Sequence, residues 1–337
     1  MRDIKIPEVS PLACEYRGEL LDMVRYGHFA VTDENGKIVW GAGDINAEAS
    51  YRSSAKPIQA LPTLVYGLDE KYGLTQEETA ILAASHQGES FHIKVLESIL
   101  EKTGLSEDDL IVNPTAPEDC RDYNGIPRKL NNTCSGKHLA LMLLQRHLTG
   151  AVEGYHLPDS PAQQEVLQTV ATLSGCDVKN IGLAIDGCGV PVFSVKVHEM
   201  ADAFLRLACP ELIGDEKLRT AAEKISAAMC AYPHIIRGSG STCLAMNSDS
   251  NIIAKSGANG LYCFALKKER LGVAVKLIDT AGGWISFMVR KILEGIGYDN
   301  KAVLDELYKL MGDEVYNGCG DVVGHREFLH EFQGAFD

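Results

Sequence analysis

Two side chains that together could carry out acyl transfer stand three residues apart near the start of a predicted helix. In the stretch SSAKPIQALP, Ser53 and Lys56 would share one face of that helix. A serine hydroxyl is a poor nucleophile until a base removes its proton, and a lysine with a depressed pKa can be that base. The same spacing also fits a capping serine followed by a solvated lysine, so the pair by itself leaves both interpretations open.

A second lysine motif lies far along the chain, where the apolar segment NIIAK runs into Lys255, Ser256 and Gly257. A Lys-Ser/Thr-Gly strand facing a Ser-x-x-Lys helix frames the acyl-transfer site of serine β-lactamases, penicillin-binding proteins and their amidase relatives. Ser85, in AASHQGES, is the candidate for the further serine of such a site, with helix capping as the alternative. Two adjacent lysines would lower each other's pKa from the usual value of about 10.4. The chain has no Ser-Asp-Asn triplet, which argues against a penicillin-directed enzyme.

Two cysteines form a third group of reactive side chains. Cys134 and Lys137 stand at the start of the predicted helix GKHLALMLLQRH, where a helix N-terminus favours a thiolate. Cys188 follows the apolar run IGLAI in a glycine-rich loop that also contains Asp186. A lysine can bind a metal only after it loses its proton, so the spacing alone favours structural thiols over a zinc site.

Local sequence patterns predict the elements that must position these groups. HFAVTDENGKIVWGAG predicts two strands joined by a turn at Asn35 and Gly36. From Ser53 to about residue 232, apolar residues recur mainly at spacings of three and four, which indicates helices. Beyond Gly238, NIIAK, GLYCFAL and LGVAVKLID predict three short strands, followed by a helix near 282–297.

These elements predict an α/β (α+β) fold in one domain of 337 residues. Short connections between the strands favour an antiparallel sheet, built from both chain ends, about 10–50 and 238–337. A helical block, about 53–232, is inserted between the two ends. We expect the reactive side chains to converge on the crevice between this block and the sheet.

Composition narrows the choice of partners and location. The formal net charge of −14 argues against nucleic acid or an anionic membrane surface, which leaves a small molecule as the expected partner. No segment approaches the roughly 20 apolar residues of a membrane span, and the first residues lack the apolar centre of a signal peptide. We therefore expect a cytoplasmic protein whose ten cysteines are mostly reduced thiols. RGSGST lacks the Walker spacing, and HEMAD is not the zinc-peptidase motif.

Several blocks taken together resemble one enzyme family. YRSSAKPIQALP, ASHQGE, NNTCSGKHLALM, IDGCGVPVF and AKSGANGLYCFAL occur in the order found in the asparaginase family typified by the inducible, thermolabile rhizobial asparaginase. The resemblance runs from about Arg17 to near Arg326. It implies a serine β-lactamase/glutaminase-like fold, a homodimer, and hydrolysis of L-asparagine to aspartate and ammonia.

The resemblance also implies roles for individual residues. It pairs Ser53 with Lys56 and Ser85 with Lys255 as catalytic groups. It further implies a Zn²⁺ site and a set of residues close to the substrate: Cys134, Lys137 and Cys188 for the metal; Arg52, His138 and Asp186 for the substrate. On this basis Ser53 is the expected nucleophile, and the zinc is expected to orient the substrate rather than perform the chemistry.

Two stretches depart from the family pattern, and the substrate stays open. Thr133 stands where the family pattern, His-Asn-Asn-Cys, has an asparagine, and the segment RGSGSTCLAMN, residues 237–247, matches poorly. Glutamine or another small amide is an alternative substrate, because one methylene changes discrimination by only about 1 to 3 kcal/mol. A non-catalytic zinc-binding protein with structural serines is the alternative outside enzymes.

Overall fold

Strands from both ends of the chain form one antiparallel sheet. The structure is a computed structural model that describes residues 7–118, 123–279 and 283–332. In these ranges eight strands are arranged in the order β10-β11-β1-β2-β9-β8-β7, with β3 paired to β2. Their bounds are β1 Ser10–Arg17, β2 Leu20–Asp33, β3 Ile38–Ala42, β7 Ile252–Ser256, β8 Leu261–Leu266, β9 Leu271–Leu277, β10 Glu314–Tyr316 and β11 Val322–Phe328.

This sheet confirms the predicted architecture. The β2–β3 hairpin turns at Asn35 and Gly36, and Gly36 has a φ of +75°, which glycine adopts without steric cost. β2 then pairs with β9 across the long insertion, so the N-terminal and C-terminal strands lie side by side. The first and last strands of the chain, β1 and β11, also pair directly.

Helices flank the sheet and make up most of the inserted segment. One of them, α7, packs on β2, β8 and β9. Gly272 of β9 allows this close packing, because a Cβ there would lie 2.1 Å from the carbonyl oxygen of Ala201. The helices are α1 Lys56–Val65, α2 Leu68–Tyr72, α3 Gln76–Leu82, α4 Ser90–Thr103, α5 Ser135–Thr149, α6 Pro161–Ser174, α7 Val197–Ala208, α8 Glu216–Ala231, α9 Pro233–Ile236, α10 Thr242–Asn247, α11 Trp284–Gly295 and α12 Lys301–Leu310.

The inserted segment is not helical throughout. It contributes β5 (Gly182–Ile185) and β6 (Pro191–Lys196) to a second sheet, in which β4 (Glu48–Ser50) is the third strand, in the order β4-β6-β5. The strands are only three to six residues long, too short for periodicity to separate them from helix. Pairing of β4 with β6 joins segments that are distant in sequence, which local patterns cannot indicate.

None of the helices in the described ranges has the length and apolar character needed to cross a membrane. Helix α5 is buried on all sides from Ser135 to Gln145, because it packs between α1, α3 and α6. Its burial therefore serves the protein core. The N-terminal turn of α5 carries the candidate thiol and lysine described below.

Candidate active site

A strained turn delivers the Ser-x-x-Lys motif to the crevice. Residues Arg52–Ala55 form a 3-10 turn that leads directly into α1, whose first residue is Lys56. Arg52 has a φ of +47°, a conformation that side chains other than glycine rarely adopt. Its guanidinium forms an ion pair with Asp186 at 2.8 Å. Strained backbone of this kind persists where the surrounding structure holds it in place, often at functional sites.

Ser85 lies between two buried lysines. Lys56 Nζ and Lys255 Nζ each donate a hydrogen bond of 2.9 Å to Ser85 Oγ. Both lysines are fully buried, and Ser85 is only 3% exposed. The first residue of α1, the loop after α3 and the strand β7 therefore meet at one hydroxyl. Ser85 does not cap a helix, because α4 begins at Ser90 with Glu89 as its N-cap residue.

Ser53 is placed differently from the expectation based on helical spacing. It is half-buried and lines the cleft beside Ser85. Among the hydrogen bonds of the described residues, none joins Ser53 to Lys56. Instead, Lys56 Nζ makes its second bond to the carbonyl oxygen of Thr133 at 2.8 Å. The structure thus places both serines and both lysines in one region, but links the lysines through Ser85.

Burial shifts both lysines toward the neutral form. It lowers the pKa of Lys255 to about 7, and the positive charges of Lys56 and Arg237 act in the same direction. Burial also lowers the pKa of Lys56, with the Lys137 cation adding to the effect. A lysine that titrates near neutral pH can serve as a general base or acid.

The cleft in front of these residues has a volume of about 610 Å³. Its lining includes five residues of the segment 237–247, which the sequence resemblance left without a role. Their hydroxyl, thiol and guanidinium groups make this wall largely polar. They are Arg237, Gly240, Ser241, Thr242 and Cys243.

Sequence reasoning missed Arg237, because no motif surrounds it. Its Nη1 donates to the carbonyl oxygen of Ser85 at 3.0 Å and to Thr133 Oγ1 at 3.4 Å, while Nη2 pairs with Glu118 at 2.8 Å. It also missed Ser54, the second serine of SSAK, whose hydroxyl donates to the carbonyl oxygen of Lys255 at 2.8 Å. That bond joins the 3-10 turn to β7.

A second cluster, called the thiol group below, lies next to Lys56 and consists of Cys134, Lys137 and Cys188. Cys134 is the N-cap residue of α5, Lys137 lies in its first turn, and Cys188 lies in the loop after β5. Lys137 Nζ donates to Cys188 Sγ at 3.0 Å. A hydrogen bond with Cys188 and the cations of Lys56 and Lys137 lower the pKa of Cys134, which favours its thiolate. Burial disfavours the charge of Lys137, but the two sulfurs outweigh it and raise its pKa.

Cys134, Lys137 and Cys188 fit a zinc ion only if all three are ligands. Two sulfurs suit a borderline-soft metal ion, and the amine is a third donor once it has lost its proton. In the part of the chain that the structure describes, no group of three or more His, Cys, Asp or Glu side chains could hold a metal ion. Zinc binding here therefore requires Lys137 as a ligand beside Cys134 and Cys188.

The three residues expected near the substrate are only partly brought together. Arg52 and Asp186 pair directly, and Asp186 belongs to the same loop as Cys188. His138 is fully buried on α5 and shares a 2.8 Å hydrogen bond with Tyr155 through Nδ1. Its Nε2 has no hydrogen-bond partner among the described residues. Burial lowers the pKa of His138 well below its usual value, so the ring is neutral.

Comparison with known proteins adds a family to this geometry. The sequence profile described as L-asparaginase II matches residues 13–328. The chain belongs to the L-asparaginase II family. No curated protein matches the chain.

Solved structures show more distant similarity. Mglu in its glutamate form is 16% identical, with 85% of this chain and 61% of the Mglu chain covered and a TM-score of 0.44. The chain therefore spans about three fifths of the length of Mglu. A β-lactamase from Mycobacterium bovis is 13% identical, with 80% of this chain and 94% of that chain covered and a TM-score of 0.44.

Proposed function

We propose that this member of the L-asparaginase II family hydrolyses L-asparagine to L-aspartate and ammonia through an acyl-enzyme on Ser53. The observation that carries the proposal is the pair of buried lysines that both donate to Ser85 Oγ, beside a cleft lined by Ser53. Such an arrangement provides a proton path between two amines at a position where an amide can be bound.

The proposed chemistry begins at Ser53. Neutral Lys56 accepts the proton of the Ser53 hydroxyl as its oxygen bonds to the side-chain amide carbon of asparagine. Catalytic hydrogen bonds are often long or absent in the free enzyme and form with substrate, so the missing Ser53–Lys56 bond does not oppose this step. As the carbon–nitrogen bond breaks, a proton passes from Lys255 through Ser85 to the departing nitrogen. Ammonia leaves, and water then hydrolyses the aspartyl ester.

The thiol group is proposed to hold Zn²⁺ through Cys134, Lys137 and Cys188. Bound zinc would supply a positive charge that attracts and orients the amino-acid end of the substrate, since two thiolates leave it a weak Lewis acid. Arg52 and Asp186 lie beside Cys188 and are proposed to complete this end of the site. His138, the residue that follows Lys137, is proposed to contribute to substrate binding from the buried side of the site.

Metal analysis tests the zinc site. Purified wild-type protein should contain zinc close to one equivalent, and Cys188→Ala should lose it. Cys14→Ala is the matched control, because Cys14 is buried in β1, between β2 and β11. Equal zinc contents in wild type and Cys188→Ala would exclude this donor set.

Glutamine is a second candidate substrate. A cleft of about 610 Å³ falls within the range of roughly 300 to 1,000 Å³ typical of ligand pockets and has room for a side chain longer than that of asparagine. Discrimination by one methylene is worth only about 1 to 3 kcal/mol, so relative rates must be measured. Ammonia release from both amides, at matched concentrations, orders the two substrates.

The decisive experiment follows the acyl-enzyme. Ser53→Ala should lower kcat by about 10³-fold or more while the protein stays folded. Mass spectrometry of wild-type protein quenched during turnover should find an aspartyl adduct on the peptide that contains Ser53. An adduct on the Ser85 peptide would exchange the two serine roles, and full activity of Ser53→Ala would remove Ser53 from the mechanism.

The assembly and location are further proposals from the resemblance and the composition. A homodimer is proposed, and light scattering of the purified protein distinguishes it from a monomer. A cytoplasmic location is likewise proposed, and fractionation of expressing cells tests it.

A further inference from the structure

Arg237 holds a distinct position in the cleft. Of the described residues that line it, Arg237 carries the only positive charge and Glu118 the only negative charge. The two lysines donate to Ser85 from behind this lining and are fully buried. A ligand that enters the cleft therefore meets one accessible cation.

The backbone holds this cation next to the reacting groups. Ser85 N–H donates to the carbonyl oxygen of Ile236 at 2.8 Å, and Arg237 Nη1 donates back to the carbonyl oxygen of Ser85 at 3.0 Å. The guanidinium is thus anchored on the residue that both lysines contact. Its position relative to the catalytic serines is determined by two direct contacts rather than by a flexible side chain alone.

The remaining partner of Arg237 is replaceable. Glu118 pairs with Nη2 from a side chain that is 42% exposed. Ion pairs between exposed groups contribute little, because water solvates both charges well. A planar guanidinium binds carboxylates in a bidentate geometry, so an incoming carboxylate can take the place of Glu118.

Two hydroxyls extend the polar wall beside Arg237. Thr242 Oγ1 and Ser286 Oγ are 2.8 Å apart and both residues line the cleft, whereas the Ser241 hydroxyl already donates to the carbonyl oxygen of Gly238. Hydroxyls can donate to carboxylate oxygens that the guanidinium leaves unpaired. The segment 237–247 and Thr133, the two places where the sequence departs from the family pattern, meet at the Arg237–Thr133 contact.

We propose that Arg237 binds a carboxylate of the amide substrate, which displaces Glu118, and thereby selects anionic substrates. The proposal rests on the amidohydrolase function proposed above. The carboxylate has two chemical sources: the α-carboxylate of the acyl part, as in asparagine, which would leave the α-amino group to the zinc site, or a carboxylate on the departing amine, as in a β-aspartyl dipeptide. The volume of the cleft accommodates both.

Variants of Arg237 and Glu118, measured with charged and uncharged substrates, test the proposal. If the bound group is the α-carboxylate, Arg237→Gln should raise KM for L-asparagine by about tenfold or more, but leave KM for its uncharged α-carboxamide analogue unchanged. Where turnover of the analogue is slow, its inhibition constant replaces KM. Arg237→Lys should recover part of the affinity, and Glu118→Gln should lower KM by removing the competing carboxylate. Arg17→Gln, in an exposed pair with Asp22, is the control and should match wild type.

A second pair of substrates identifies the source of the carboxylate. If Arg237→Gln raises KM for β-aspartylglycine but not for asparagine, the carboxylate is that of the departing amine. If both rise equally, it is the α-carboxylate. The proposal is overturned if Arg237→Gln changes KM equally for asparagine, its α-carboxamide and β-aspartylglycine. A loss in kcat alone with a displaced pH profile would also overturn it and give Arg237 an indirect effect on the lysines.

A failure of the proposed function can be distinguished from a failure of this inference. If wild-type protein hydrolyses none of these amides, the amidohydrolase proposal fails. Calorimetric binding of L-aspartate to wild type and to Arg237→Gln then decides the inference by itself. Weaker binding by the variant supports it, and equal affinity excludes it. Thermal melting of each variant verifies that the fold is retained.

Discussion

The serine group, which consists of Ser53 and Ser85 with Lys56 and Lys255, and the thiol group both contain buried lysine, yet the pKa shifts differ in direction. Burial lowers the pKa of Lys255 to about 7; the cations of Lys56 and Arg237 add to this effect, and Cys243 opposes it. Around Lys137 the same desolvation is outweighed by Cys134 and Cys188, and the pKa is raised. Burial alone therefore does not decide the protonation of a lysine, because the charge of its neighbours also contributes. The lowered pKa suits Lys255 to carry a proton, whereas Lys137 must lose its proton before it can bind the proposed zinc.

Removing the amine of Lys255 should have the largest effect on turnover. Lys255→Met is expected to lower kcat by about 10²- to 10⁴-fold, because the proton for the departing nitrogen loses its carrier. Steady-state ammonia release measures this. Lys268→Met, an exposed lysine on the turn between β8 and β9, should behave as wild type. A loss confined to KM would show that Lys255 binds substrate instead.

Removing the amine of Lys137 should affect zinc and substrate binding more than turnover. Lys137→Met is expected to weaken zinc binding by about 10- to 100-fold and to raise KM for asparagine, with a smaller change in kcat. Zinc competition with a chromogenic chelator and steady-state kinetics report the two effects. A kcat as low as that of Lys255→Met would remove the distinction between the two lysines.

The pH dependence should follow Lys255. As the donor of the proton for the departing nitrogen, Lys255 must carry that proton, and its pKa of about 7 lies well below the usual value for lysine. Above that pKa the amine is neutral, so kcat/KM should fall about tenfold per pH unit as the pH rises. Rate profiles between about pH 5.5 and about pH 8.5 test this. A flat profile across neutrality would mean that Lys255 does not titrate there.

Removing the contact between Thr133 and Arg237, which joins the two places where the sequence departs from the family pattern, should have the smallest effect. Thr133→Val removes the hydroxyl that accepts from Arg237 but keeps the carbonyl that accepts from Lys56. Because the hydroxyl bond is long at 3.4 Å, we expect kcat/KM to change by only about two- to fivefold. Thr115→Val, outside the lining of the main cleft, is a control of the same chemistry. A loss of about 100-fold would assign Thr133 a larger role than its contacts indicate.

Sequence patterns with a local cause predicted much of the fold. The Asn35-Gly36 turn, the helices with regular apolar spacing and the strands β7, β8 and β9 depend on residues that are neighbours in the chain. The start of α5 near Cys134 was also predicted, because the apolar residues of GKHLALMLLQRH recur at helical spacing. The short strands of the second sheet were missed, since their pairing with β4 depends on distant residues.

By itself, the sequence determined which chemical groups this protein carries and the elements that bear them. The Ser-x-x-Lys motif, the Lys-Ser-Gly strand and the two cysteines with their lysine could all be read from spacing. Only the tertiary structure decided how they meet. Lys56 and Lys255 lie 29 and 170 residues from Ser85, and they contact it rather than Ser53. Arg237 reaches the same serine across 152 residues without any motif. Such contacts arise from packing of the sheet, α1 and the loop after α3, and that packing also sets the burial and neighbouring charges on which each lysine's protonation depends.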